Sequence, residues 1–346
     1  RFMKTTISGR GDNIMSSVGM YLSCIPGSVW AGIICLSVHC LLYYTPLKDS
    51  ALYTQAVVLI VLLIMGLITL LYLYQDSLLY QPLVMPQYAR PADNPVGYRS
   101  PAEYQMPYED VRLTTTDGLK LAAWMILQPN PTSSPTIIFF HANAQNMGFR
   151  LPIVHDMYRH LHCNIFMLSY RGYGDSQGTP SESGLVLDAD AAIKYILHER
   201  SDIDPSRVIV LGRSLGGAVA IYASSRYGDQ IRATIIENTF TSIPDMVDAV
   251  FPILRPLKPL ILRIYWPSIT RIATITHPIF FASGRQDELV PSCHMDTLYE
   301  EARSSRAKTM HHIVDGSHND TWQRGGTAYI SLIHQFIVQH CAKITA

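Results

Sequence analysis

Apolar positions along the chain fall into three patterns. The first is an unbroken run. From Ala51 to Gln75 there is no formal charge, and residues 56–74, AVVLIVLLIMGLITLLYLY, are apolar throughout apart from one threonine and two tyrosines. A run of this length is what a helix needs to cross a hydrocarbon core. Tyr72, Tyr74 and Tyr80 lie at its C-terminal end, where an aromatic belt sits at an interface. The second pattern is a weaker run, SVWAGIICLSVHCLLYY over 28–44, with His39 inside and Pro26-Gly27 just before. Three readings stay open for it: it spans, lies in the interface, or packs on the first helix. Arg1, Lys4 and Arg10 precede it and favour a cytosolic N-terminus. If both runs span, the remainder of the chain returns to the cytosol; if only 56–74 spans, it lies in a lumen or outside.

The third pattern begins near residue 107 and alternates short strands with helices. Residues 109–127 read as a hairpin turning at Asp117-Gly118. TIIFF (136–140), NIFMLSY (164–170), VIVLG (208–212), RATIIE (232–237), PIFFASG (278–284) and KTMHHIV (308–314) read as strands, TIIFF being apolar throughout. Helical spacing separates them at 148–161, 182–200 and 216–228, and again at 326–340. A hairpin followed by such repeats gives an α/β fold, a mostly parallel sheet with helices on both faces. The chain therefore divides into an N-terminal segment (1–55), a transmembrane helix (56–74), a proline- and tyrosine-rich linker (75–106) and a catalytic-sized domain (107–346). Within that domain, residues 238–277 form an apolar insertion placed as a cap over the carboxyl ends of the strands.

Composition sharpens this division. Lysine plus arginine and aspartate plus glutamate both total 27, so no basic excess marks a nucleic-acid partner. Charged residues make up only 16%, and the deficit lies in the N-terminal part. The six cysteines (Cys24, Cys35, Cys40, Cys163, Cys293, Cys341) show no metal spacing or disulfide framework. The chain opens Arg1-Phe2-Met3, which makes Met3 a candidate start.

Chemistry enters at Gly212-Arg213-Ser214-Leu215-Gly216, a G-x-S-x-G between an apolar strand and a small-residue helix. That context is a nucleophile elbow, where the serine sits on a tight, strained turn. A serine hydroxyl needs a base, and the base an orienting acid. In hydrolases with this strand-turn-helix motif the order is serine, acid, histidine. Asp287 follows strand 278–284 and His318 follows strand 308–314, so Ser214, Asp287 and His318 fit, each just past a strand end. Glu237, Glu288 and Asp315 are rival acids; His141, His277, His311 and His312 are weaker rival bases. The oxyanion donors are expected to be the N–H of Leu215 and an N–H from the loop HANAQN, with Asn143 favoured. Asp188 and Asp190 read as a solvated helix face rather than a metal site, and no cofactor is implied. Asn319-Asp320-Thr321 is a glycosylation acceptor beside His318.

FFHANAQNMGFR, YRGYGDSQGTPSESGLVLDADAAI, GRSLGGAVAIYAS, ENTFTSIPDM and DGSHNDTWQ, in this order, resemble the α/β-hydrolase domain-containing protein 13 group of serine hydrolases. The likeness covers about residues 75–346. It implies an α/β-hydrolase fold, a membrane anchor and a Ser214–Asp287–His318 triad. Some relatives in the wider group remove palmitate from protein cysteines, which suggests a thioesterase. One departure is Ala142, where the family pattern has glycine; a shift of the Asn143 N–H there would weaken oxyanion binding. The expected function is a membrane-anchored serine hydrolase of acyl esters or thioesters, acting on acylated protein or lipid at the bilayer. The alternatives are a catalytically impaired binding module, a lipid esterase or a peptidase.

Overall fold

The structure is a computed structural model and describes residues 51–341. The helix expected over 28–44 lies outside these residues, as do Cys24, Cys35 and Cys40. The chain divides into two compact units. Of the described residues, one holds 51–74 together with Pro259–Ile261; the other holds Gln75–Lys258 and 262–341.

In the first unit, helix α1 runs Ala51–Leu73, 23 residues without a charged side chain. It starts ahead of the expected 56–74 because Leu52, Tyr53 and Thr54 extend it. At 1.5 Å per residue it is about 34 Å long, enough to cross a bilayer core. Leu59, Leu62, Leu63 and Met65 are exposed along it.

The second unit is built on an eight-stranded sheet of order β1-β2-β4-β3-β5-β6-β7-β8. The strands are β1 (Tyr108–Thr114), β2 (Lys120–Ile126), β3 (Thr136–Phe140), β4 (Asn164–Leu168), β5 (Val208–Arg213), β6 (Ala233–Glu237), β7 (Ile279–Gly284) and β8 (Lys308–Ile313). β2 pairs antiparallel with both β1 and β4; every other pair is parallel. Successive side chains of a strand face opposite ways, so an inner strand must be apolar on both faces. Val208 and Val210 enter one core with Ile138 and Phe140, whereas Ile209 and Leu211 enter the other with Ile137 and Phe139.

Helices α2 (Leu151–Leu161) and α8 (Thr321–Cys341) cover the second core. Helices α3 (Glu182–Lys194), α4 (Leu215–Arg226), α6 (Ser268–Ile272) and α7 (Cys293–Glu301) cover the first. α8 bends at Gly326, whose φ of 52° breaks the helix where the sequence places its start. Between β6 and β7, α5 (Ile243–Val250) opens the insertion, and the Ser242 hydroxyl caps it by accepting from the Asp245 N–H at 3.1 Å. Ile264 and Trp266 of the insertion are buried in the first core, while Val250, Phe251 and Ile253 are exposed.

Two expectations are corrected. Residues 75–106 are part of the second unit rather than a linker. Tyr80 and Met106 are buried, and the Asn94 and Asn146 side-chain amides exchange hydrogen bonds at 2.8 and 2.9 Å. The prolines there open short 3₁₀ turns at Pro86–Tyr88, Pro91–Asp93 and Pro101–Tyr104, because their fixed φ suits a first helical position. Asp188, placed on a solvated face, is instead fully buried. It accepts from the Arg171 N–H and Nε, both at 2.8 Å, and Arg171 also reaches Asp117 in the β1–β2 turn. Burial pushes the Asp188 carboxyl up to about 6 against the pull of Arg171.

Buried histidines give the fold a pH dependence. Burial lowers His141 to about 3 and His277 to about 4. Below the ordinary histidine range the unfolded chain takes up protons that the folded chain refuses, so their contribution is complete above about pH 7 and falls as pH drops from about 6.5 towards 4. Asp188 acts in the opposite sense between its ordinary value and about 6. The clean test is therefore a single-site difference. His277→Asn should flatten the fall in unfolding free energy between pH 6.5 and 5 by about 1 kcal/mol per pH unit, since the unfolded imidazole is only half protonated at pH 6.5. Parallel pH profiles for wild type and variant would refute this origin.

Candidate active site

β5 delivers the chain into a turn that leaves little room. A Cβ on Gly212 would lie 2.0 Å from the Gly216 carbonyl oxygen, and one on Gly216 2.0 Å from the Phe140 carbonyl oxygen. A Cβ on Gly217 would meet Thr239 at 2.4 Å. The glycines thus let α4 start almost in contact with the ends of β3 and β5. Ser214, between them, is held at φ 54°, ψ −121°, a conformation that costs a non-glycine residue of order 1–3 kcal/mol. Its N–H donates to the Glu237 carbonyl at 2.9 Å, and its own carbonyl accepts from the Thr239 hydroxyl at 2.7 Å.

The loops after β7 and β8 bring Asp287 and His318 to this serine. His318 Nε2 lies 3.0 Å from Ser214 Oγ, and His318 Nδ1 lies 2.7 Å from Asp287 Oδ2. A carboxylate only accepts, so Nδ1 carries the proton and Nε2 is left to accept from the hydroxyl. Asp287 Oδ1 accepts from the Leu289 and Val290 N–H groups at 2.9 and 2.8 Å, which fixes the carboxylate. All three side chains are buried or nearly so.

The rivals are occupied elsewhere. Glu237 pairs with Arg213 at 3.2 Å and accepts from the Tyr329 hydroxyl. Glu288 accepts the His318 N–H at 3.1 Å, so it supports the histidine from its backbone. His141 is buried, with Nδ1 against the Ala142 carbonyl at 2.7 Å. His277 lies at the other end of the sheet, hydrogen-bonded to Thr234 at 2.7 Å.

Leu215 opens α4, where the first N–H groups lack helical partners and carry the positive end of the dipole. Asn143 follows β3 in the facing loop; among the described residues its N–H donates to no group. Ala142 is not in the left-handed region; the residues there are Ala144 and Gln145, at φ 66° and 62°. The glycine-to-alanine departure therefore does not fall on the residues that make the sharp turn.

Sequence reasoning missed the braces of the histidine loop. The Arg213 guanidinium donates to the His318 carbonyl and, at 3.1 Å, to Asn319 Oδ1. Asn238, itself at φ 46°, donates to Thr321 Oγ1 at 2.8 Å and accepts from the Gly284 N–H at 2.8 Å. Arg213 occupies a variable position of G-x-S-x-G, so the motif carries no signal for it. A cavity of about 820 Å³ lined by Arg207, Arg232 and Arg306 lies across the sheet, at the amino ends of β5, β6 and β8. It is remote from the reacting groups.

Sheet order, elbow and the Ser–His–Asp arrangement define the class as an α/β hydrolase. The comparisons agree. A family model described as alpha/beta hydrolase fold matches residues 135–263. The chain is 40% identical to the alpha/beta hydrolase domain-containing protein WAV2 of Arabidopsis thaliana over 80% of this chain and 91% of that one. It is 39% identical to protein bem46 of Schizosaccharomyces pombe over 86% and 95%. Among solved structures, the Pyrococcus furiosus esterase Pf2001 superposes with TM-score 0.59 at 21% identity, covering 72% of this chain and 98% of that one, a likeness of fold. The chain belongs to the family of α/β-hydrolase domain-containing proteins that includes these relatives.

Gly216→Ala should force α4 away from β3 and destabilise the domain by about 3 kcal/mol, the upper end for overpacking. That corresponds to a thermal midpoint lowered by roughly 6–12 °C. An unchanged midpoint would mean the close approach is not a constraint.

Proposed function

We propose that this protein is a membrane-anchored serine hydrolase that cleaves acyl esters or thioesters through an acyl-enzyme on Ser214. The observation that carries the reading is the continuous hydrogen-bonded chain Ser214–His318–Asp287 at the strained elbow. Ser214 Oγ attacks the acyl carbonyl carbon while its proton passes to His318 Nε2. The resulting oxyanion is held by the N–H groups of Leu215 and Asn143. Collapse breaks the bond to the alcohol or thiol, which takes the proton from His318. Water then attacks the acyl-enzyme by the same proton route and frees Ser214. Asp287 keeps the imidazole in the tautomer this needs.

The substrate class follows from the surroundings. Each methylene buried from water contributes about 0.8 kcal/mol, so an apolar insertion beside the site favours a long acyl chain. Exposed Val250, Phe251 and Ile253 leave part of that insertion open to such a chain, and α1 supplies the anchor. A long-chain thioester on a protein cysteine, as in palmitoylated protein, fits this description, as does a lipid ester.

A fluorophosphonate probe should label wild type and fail to label Ser214→Ala. Long-chain acyl thioesters or esters should compete with labelling, and peptides should not. Persistent labelling of Ser214→Ala overturns the assignment of the nucleophile. An unlabelled but folded wild type favours the binding-module alternative.

We infer that Asn319 braces the histidine loop through Arg213 rather than carrying a glycan. Glycosidase treatment should leave the mobility of wild type and Asn319→Gln unchanged. A shift present in wild type and lost in the variant would place the domain in the secretory lumen or outside.

A further inference from the structure

The oxyanion loop is held by residues that precede the first strand. Asn143 Oδ1 accepts from the Gln81 N–H at 3.1 Å and from the Tyr173 hydroxyl at 2.7 Å. Its Nδ2 donates to the Leu79 carbonyl at 2.5 Å. Two residues on, the Gln145 N–H donates to the Gln81 carbonyl at 3.2 Å. Between these contacts Tyr80 is 2% exposed, and its hydroxyl accepts from Trp266 Nε1 at 2.9 Å. Just upstream, Gln75 Oε1 accepts from the Arg263 N–H at 2.9 Å, and Asp76 pairs with the Arg263 guanidinium at 2.5 Å. One segment of seven residues thus touches the oxyanion loop at one end and residues 263–266 of the insertion at the other.

We propose that residues 79–81 are a positioning strap for the oxyanion donor, and that the strap ties the placement of that donor to the insertion. The inference rests on the acyl-transfer reading above. Its physical basis is the state of the loop. Ala144 and Gln145 both occupy the left-handed region without being glycine, so the loop's backbone is strained and needs an external hold. The Arg150 guanidinium holds the carbonyls of Asn143 and Ala144 at 3.2 and 2.7 Å, and the Asn143 side chain holds the residue that bears the donor N–H. Its amide is bound from three directions, two of them through backbone groups of the strap. A side chain bound in this way has one rotamer, and the direction of the N–H on the same residue follows from it. Oxyanion stabilisation depends on that direction, because a donor acts only where the charge develops. The strap residues touch no reacting atom; they act through Asn143.

Three full-length variants in detergent micelles test this. Asn143→Ala removes the anchoring amide but keeps the backbone N–H. Gln81→Pro removes the strap's donor without altering any side chain near Ser214. Gln81→Ala keeps that donor and serves as the control, since among the described residues the Gln81 side chain donates to the Ser77 and Leu78 carbonyls and to nothing at the oxyanion loop. With a short soluble acyl ester, Asn143→Ala and Gln81→Pro should lower kcat by about tenfold to a hundredfold, the range for a displaced catalytic group. KM should stay close to wild type, fluorophosphonate labelling should slow in proportion, and Gln81→Ala should match wild type. Wild-type kcat in both variants, with wild type labelled, overturns the strap and leaves the acyl-transfer reading standing. A fall in kcat accompanied by loss of the cooperative thermal transition also overturns it, since the residues would then be only structural. An unlabelled wild type overturns both.

Discussion

The site depends on one steric constraint: α4 begins within contact distance of the ends of β3 and β5. Gly212 and Gly216 make that approach possible, because a Cβ on either would lie 2.0 Å from a backbone oxygen, well inside van der Waals contact. Once the helix starts there, Ser214 has no ordinary conformation available and is pushed to positive φ. That strained turn lifts its hydroxyl out of the sheet towards the two loops that carry Asp287 and His318. The same turn aims the first free N–H groups of α4 at the space in front of the serine. The Ser214 hydroxyl and the free N–H groups at the start of α4 therefore share a single mechanical origin.

The partners of the elbow are rigid for a related reason. The histidine loop is gripped by Arg213, Glu288 and Asn238, and Arg213 is itself paired with buried Glu237. The arginine fork carries five N–H donors in a fixed plane, so one guanidinium meets a carbonyl, an amide oxygen and a carboxylate together. Glu237, a plausible triad acid by its place at the end of β6, serves instead to neutralise this arginine. Facing the elbow, the loop after β3 has two left-handed non-glycine residues and is held from outside by a segment that joins the apolar helix to the domain in sequence.

Sequence made much of this legible and left a definable part hidden. The strands of β3, β5 and β7 stand out because burial on both faces demands unbroken apolar runs. Ser214 and Asp287 stand out because each follows such a run, and His318 because it follows the next strand in the order this sheet requires. Residues 75–106 misled because proline and tyrosine are read as linker composition, whereas here prolines open 3₁₀ turns and Tyr80 is buried. Asp188 misled because its partner, Arg171, lies on the loop after β4 and cannot be found by helical spacing. Arg213, Asn238 and the Asn143 amide act through contacts between residues far apart in sequence, so periodicity and spacing carry no trace of them.

If Ser214 is the nucleophile, the carbonyl carbon of an acyl substrate becomes bonded to its Oγ. Rapid quench with a long-chain acyl thioester, followed by peptide mass spectrometry, observes that bond directly. An acyl adduct is expected on the peptide containing Ser214, present in wild type and absent in His318→Ala under the same quench. Turnover of the thioester with no adduct on that peptide, or with the acyl group on Cys293 instead, would contradict it.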